Sequence, residues 1–274
     1  MSVFVVDTEE CNSCGMCSAE CPAGVIFIAE RGAMPYLAPG GEWRCINCGH
    51  CVAVCPRGAL SRGTMKPEEC VPISKKLLPT AEQVEHFLKS RRSIRVYKEK
   101  PVKREVLTRL IDIARYAPSG ANVQPVQWLV IEDSKEVKRL GRMVIDWMRS
   151  MAGEAPGQAE TSQLKLIVAA WDLGMDVVMR GAPHLIVAHA HRGFGLSQVD
   201  CCIALTYLEL AAYSLGLGAC WNGFFQMVAA ASPAIMEALA LPEDHRLYGA
   251  MLVGHPKYRY RRIPLKKEPT IVWR

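Results

Sequence analysis

Eight cysteines fall within the first 55 residues in a single spacing used twice: Cys11-x-x-Cys14-x-x-Cys17-x-x-x-Cys21-Pro22 and Cys45-x-x-Cys48-x-x-Cys51-x-x-x-Cys55-Pro56. Two-residue gaps let three thiolates wrap three corners of one iron–sulfur cubane from a tight loop; the fourth corner must come from elsewhere, and the proline turns the chain after the fourth cysteine. Paired CxxC motifs also bind structural zinc through four ligands; the thiol count of these runs favours clusters. Small residues beside the ligands, Gly15, Ser18 and Gly49, leave room and backbone N–H groups for the sulfides. His50 is read as packed or solvent-facing, because the cysteine set is already complete. Cys70, Cys201, Cys202 and Cys220 remain, and Cys201 and Cys202 lie in an apolar segment as inert core thiols.

The spacing resembles that of bacterial ferredoxins. The resemblance implies a 2[4Fe–4S] domain over residues 1–75, with Cys11, Cys14, Cys17 and Cys55 on one cluster and Cys45, Cys48, Cys51 and Cys21 on the other. Each oxidised cluster with four thiolates carries about −2. Two of them bring the chain's +6 to about +2, a mild excess that makes no demand for a nucleic-acid partner. The N-terminus has no basic segment followed by an apolar run, so no secretory signal is expected. Without export, twelve cysteines do not read as a disulfide framework. A cytoplasmic location is the expectation.

At 50% hydrophobic and 22% charged residues, the composition is that of a globular chain long enough for two domains. Cys70–Pro79, with two prolines and two lysines, reads as a linker, and a second domain is expected over 76–274. Thr80 and Gln83 have capping-box spacing for a helix to about Lys89. Further helices are expected over 103–116, 134–151, 162–179, 199–215 and 233–240, and strands at Trp128–Ile131, Leu185–Ala188 and Tyr248–Val253. The segment Cys201–Trp221 is almost wholly apolar, yet it holds Glu209, whose burial in lipid is costly. A helix buried in a core or a dimer interface is expected there, with no membrane span.

No Gly-x-Gly-x-x-Gly, P-loop or Gly-x-Ser-x-Gly motif appears. Arg91-Arg92-Ser93-Ile94-Arg95 instead gathers guanidiniums and a hydroxyl suited to a phosphate. It is followed by Ala117-Pro-Ser-Gly-Ala-Asn-Val-Gln-Pro125, Gly216-Leu-Gly-Ala-Cys-Trp-Asn-Gly-Phe224, Val253-Gly-His-Pro256 and Arg261-Arg-Ile-Pro-Leu265. In this order the five segments resemble the FMN-dependent nitroreductase family across residues 80–274. The whole chain is thus similar to a ferredoxin–nitroreductase fusion of α+β class, its second domain a three-layer α/β/α sandwich. The resemblance implies that Arg91, Arg92 and Ser93 hold the phosphate and ribityl groups of FMN, with Arg262 a second phosphate ligand. It places Arg95 near the pyrimidine end of the ring, where a cation favours the reduced, anionic flavin. Ser119 and Asn122 would reach the flavin from the other subunit of a homodimer. Trp221, Asn222 and Gly223 would pass the ring edge, with a backbone N–H as donor. Asn222 departs from the family pattern, which commonly has an aliphatic or acidic residue there.

A one-electron protein donor such as reduced ferredoxin is the expected electron source. A nitroaromatic or other electron-poor small molecule is the expected acceptor. No catalytic acid or base is singled out, since family substrates stack on the flavin. The alternatives are another reaction on the same fold, or a redox sensor or electron-transfer module that binds FMN without turnover.

Overall fold

The computed structural model describes residues 4–154 and 159–274. It divides into two units: one runs to Pro79 and includes Gly120–Val123, and the other comprises Thr80–Ser119 and Gln124–Arg274.

The first unit is built on the cysteine repeat. Strand β1 (Phe4–Val6) pairs antiparallel with β4 (Leu60–Arg62), and β2 (Ile26–Phe27) with β3 (Tyr36–Leu37). Three helices of one turn or slightly more, α1 (Met16–Ala19), α2 (Gly41–Arg44) and α3 (His50–Val54), complete it. The two halves repeat backbone as well as sequence. Ser13 and Asn47, at the same place in their runs, have φ of 54° and 50°, and Gly15 and Gly49 have 79° and 74°. These left-handed residues curl each run so that its cysteines face inward. The core is small: Phe4, Val25, Ile26, Val52 and Leu60 pack with Cys17 and Cys51. So few apolar residues leave the fold dependent on what the thiols bind.

The second unit is a sandwich around a four-stranded antiparallel sheet, in the order β5 (Gln127–Ile131), β6 (His184–His191), β8 (His245–Gly254), β7 (Gly218–Trp221). Leu185 and Val187 of β6 point to one core, and Ile186, Ala188 and Ala190 to the other. The alternation is masked in the sequence because both faces are covered. On one side lie α6 (Ser134–Glu154), α7 (Ala159–Asp172), α9 (Gly223–Ala231) and α10 (Pro233–Leu239). On the other lie α5 (Arg104–Ala114) and α8 (Ser197–Ser214). Helix α4 (Ala81–Ser90) opens the unit, with the Thr80–Gln83 capping box formed in both directions. His184 is wholly buried and satisfied: its Nε2 accepts from Val102 N–H at 2.8 Å, so its Nδ1 donates to the Glu132 carbonyl at 2.9 Å.

The helix expected over 162–179 ends at Asp172. Apolar composition continues, but Leu173-Gly174 closes the helix, and the Asp176 carboxylate accepts the N–H groups of Val178, Met179 and Gly181. That local competition for backbone donors favours a turn over a helix. Strand β7 and helix α9 were not anticipated as regular elements. Among the described residues, no helix is long and apolar enough to cross a membrane.

Candidate functional site

The first unit encloses two thiol-lined cavities. One is bounded by Cys11, Cys14, Cys17 and Cys55, with Leu60 and Pro35. The other is bounded by Cys21, Cys45, Cys48 and Cys51, with Arg62, Val25 and Ile26. The fourth cysteine of each run therefore lies with the first three of the other. Each Cys-Pro turn adds a donor: Val25 N–H reaches Cys21 Sγ at 3.5 Å, and Ala59 N–H reaches Cys55 Sγ at 3.3 Å. Burial pushes the Cys51 thiol up to about 11, with its neighbouring sulfurs adding to the effect, and raises Cys17 likewise. Four inward thiols and N–H donors to sulfur fit a cluster, whose positive metal supplies the charge that a buried thiolate lacks. His50 is exposed and lies on the rim of the second cavity. Cys70 is exposed and lines neither cavity; its Sγ bonds the Lys66 carbonyl.

In the second unit, Arg91–Tyr97 docks along β7. Ile94 N–H bonds the Ala219 carbonyl at 2.9 Å, and Tyr97 Oη donates to the Ile94 carbonyl at 2.7 Å. The side chain of Ile94 lies where a Cβ on Gly218 would stand, 2.6 Å from Cγ1. Gly218 is therefore required for the basic segment to approach the sheet. Gly218→Val is expected to cost about 1–3 kcal/mol by overpacking and to displace residues 91–95. Denaturation and flavin titration against Gly195→Ala, where no atom lies within 4 Å of the added carbon, check this. Equal flavin affinity in the two variants would detach the segment from the site.

Arg91 is held by an acid that the sequence reading treated only as evidence against a membrane span. Its Nη1 donates to Glu209 Oε1 of α8 at 2.8 Å, and the Trp221 side chain also hydrogen-bonds Glu209. Burial raises the Glu209 carboxyl above its ordinary range, against the opposing pull of Arg91. The Cys220 thiol is raised by burial, while Arg95, Arg180 and Arg91 act in the other direction, so three guanidiniums lie near enough to influence its sulfur. Arg180 was missed because it stands alone in the sequence, at a left-handed turn with φ 59°. Asn222 is buried and caps α9, its Oδ1 accepting Phe225 N–H at 3.1 Å. Its departure from the family pattern thus has a local structural reason. Gly223, first residue of α9, is exposed and faces open space. Its N–H belongs to the helix turn that lacks intrahelical acceptors. Guanidiniums beside an open helix start suit an anionic, hydrogen-bond-accepting cofactor such as FMN.

The remaining expected residues are dispersed. Arg92 and Ser93 are half-buried next to Arg91, and Arg95 is exposed. Ser119 Oγ accepts Gln124 N–H at 2.9 Å. Asn122 groups with the first unit, where its Nδ2 donates to the carbonyls of Ile46 at 3.2 Å and Asn47 at 3.0 Å, between Cys45 and Cys48. Arg262 lies in the exposed terminal segment; the next residue, Ile263, lines a groove of about 950 Å³ with Ser90 and Tyr213.

Comparison with known proteins agrees with this division. The Nitroreductase family profile matches residues 88–255, and a 4Fe-4S dicluster domain matches residues 10–60. A putative NADH dehydrogenase/NAD(P)H nitroreductase of Archaeoglobus fulgidus is 23% identical over 176 residues, covering 64% of this chain and 87% of that protein. An FMN reductase [NAD(P)H] of Bacillus subtilis is 27% identical over 180 residues, covering 65% and 67%. The crystal structure of a nitroreductase with bound FMN from Desulfitobacterium hafniense shares the fold, with a TM-score of 0.56 and 22% identity, covering 71% of this chain and 100% of that one. Because the family match spans more than half of its length, this chain belongs to the nitroreductase family, as an oxidoreductase with a 4Fe-4S dicluster domain ahead of the family domain.

Proposed function

We propose that this protein is an FMN-dependent oxidoreductase in which two [4Fe–4S] clusters relay single electrons from a low-potential donor to FMN, for reduction of a nitroaromatic or other electron-poor organic substrate. The observation that carries the reading is the presence, in one chain, of two four-thiol cavities and a nitroreductase fold with an arginine-rich segment beside an open helix start. When bound, the clusters exchange one electron at a time, and FMN accepts one or two and can deliver a hydride.

The chain's own residues do the rest. The eight cysteines hold the clusters. Arg91, Arg92, Ser93 and Arg262 neutralise and orient the phosphate, and Arg95 favours the reduced ring. Gly223 N–H and the Trp221–Asn222 turn bound the ring edge. Glu209 fixes the direction of the Arg91 guanidinium. Ser119 would serve the site of a second copy in a homodimer; Val199 and Tyr207 on α8 are exposed apolar residues available for such an interface. No residue is assigned as an obligatory acid.

Anaerobic purification is expected to yield about eight iron and eight sulfide per chain, together with FMN. In stopped flow, reduced ferredoxin should reduce the flavin much faster than NADH or NADPH, and nitroaromatics or quinones should reoxidise it rapidly. Zinc in place of iron would sink the cluster reading. Fast reduction by NADH alone would make the first unit an accessory. Slow reoxidation by every acceptor would favour a sensor or carrier over an enzyme.

A further inference from the structure

The two halves of the cysteine repeat are not equivalent, and the difference is a buried charge. Aligning Cys21-Pro-Ala-Gly-Val-Ile-Phe-Ile28 with Cys55-Pro-Arg-Gly-Ala-Leu-Ser-Arg62 sets Ile28 against Arg62. Ile28 lies near Gly15 in the first run, with Cδ1 3.4 Å from where a Cβ would stand. Arg62 is 5% exposed, and its Nε donates to Cys45 Sγ at 3.0 Å. Leu60 and Arg62 share the buried face of β4, so one strand presents an apolar side chain to the first cavity and a guanidinium to the second.

A buried guanidinium is stable only beside an anion. A four-thiolate cluster places such an anion against the guanidinium through Cys45 Sγ. Resting on the cluster reading above, we infer that Arg62 is a positioning residue that tunes the second cluster site, Cys21, Cys45, Cys48 and Cys51, to be the more easily reduced of the two. One electron from the external donor takes a cluster from about −2 to about −3. A fixed cation hydrogen-bonded to a ligand sulfur stabilises the more negative state more than the less negative one, which raises the potential. The first site gains no such cation from Ile28. Electrons entering the unit therefore collect at the second site. It is also the site whose Cys45–Cys48 loop is held by Asn122, from the segment between α5 and β5.

Anaerobic redox titration followed by EPR tests this on the full chain, with iron and sulfide measured on every sample. Wild type should show two distinct midpoint potentials. In Arg62→Ile the higher one should fall by at least tenfold in its reduction equilibrium, about 59 mV for one electron, while the lower one stays. Arg62→Lys, which keeps the charge, should retain most of the wild-type value, and Arg62→Gln, which keeps an N–H donor without charge, should fall between. Unchanged potentials in the Ile and Gln variants overturn the inference, as does movement of the lower potential alone. If Arg62→Ile loses iron while Arg62→Gln keeps both wild-type potentials, Arg62 serves assembly only, which also overturns it. A wild-type chain without iron and sulfide would remove the cluster reading itself, and is recognised before any variant is compared.

Discussion

Cys48→Ala is expected to lower iron from about eight to about four per chain and to abolish flavin reduction by a protein donor, while dithionite still reduces the flavin. Cys48 lines the second cavity with Cys21, Cys45 and Cys51, and none of these lines the first. Losing one corner of a cubane exposes an iron that the remaining three thiolates hold poorly, so the whole cluster is expected to leave. Cys70→Ala is the matched control: that thiol is exposed and outside both cavities, and its removal should change neither iron nor electron transfer. Iron analysis, reduced-state EPR and stopped flow read the result. Unchanged iron in Cys48→Ala would refute the ligand assignment. Loss of four iron with an unchanged protein-donor rate would show that the second site is off the electron path.

Arg91→Ala is the second large effect, and it carries a pH signature. The Arg91–Glu209 pair has side chains 29% and 9% exposed. Removing one partner of a buried pair costs about 3–5 kcal/mol, and the partial exposure of Arg91 puts the expectation near the lower end. For a unit of this size that lowers the melting temperature by roughly 6–12 °C. The Glu209 carboxyl is already raised by burial, with Arg91 opposing; without the guanidinium it rises further. Between the ordinary carboxylate range and that raised value, the folded state holds a proton that the unfolded state has lost, so stability falls as pH increases. The deficit of Arg91→Ala should therefore be larger at pH 8 than at pH 5. Arg91→Ala combined with Glu209→Gln should recover much of it at pH 8. Arg92→Ala, by contrast, should weaken FMN binding by about 1.5–3 kcal/mol without that pH dependence. Melting curves at the two pH values and flavin titrations separate the cases. A deficit independent of pH would mean that Glu209 does not depend on Arg91 for its charge.

Much of this molecule was legible because its signals are local. The cysteine spacing repeats within 55 residues, and a tight loop around several metal ions leaves few other arrangements. Thr80 and Gln83 cap a helix through contacts three residues apart, and the structure forms both bonds. The strands around Trp128, Leu185 and Tyr248 and the helix expected over 199–215 likewise carry their burial in their own composition. Strand β7 and helix α9 were hidden because both are buried in pieces: Gly218 and Ala219 read as loop residues until Ile94 is seen packed against them. The early end of α7 came from a side chain, Asp176, outcompeting helical hydrogen bonds that apolar composition had suggested.

The sequence by itself determined the family and the order of the two domains, since each rests on residue identity at short spacing. Only the tertiary structure decided the partners of those residues. Glu209 lies more than a hundred positions from Arg91, yet α8 brings it within 2.8 Å of the guanidinium. Asn222 caps a helix, and Asn122 holds the loop between Cys45 and Cys48. Arg62, unremarkable in the sequence, becomes a buried cation on the Cys45 sulfur. Charge and hydrogen-bond pairing depend on distances that close only when remote segments fold together. Spacing along the chain can therefore name the donors, while only the folded molecule shows which acceptors they meet.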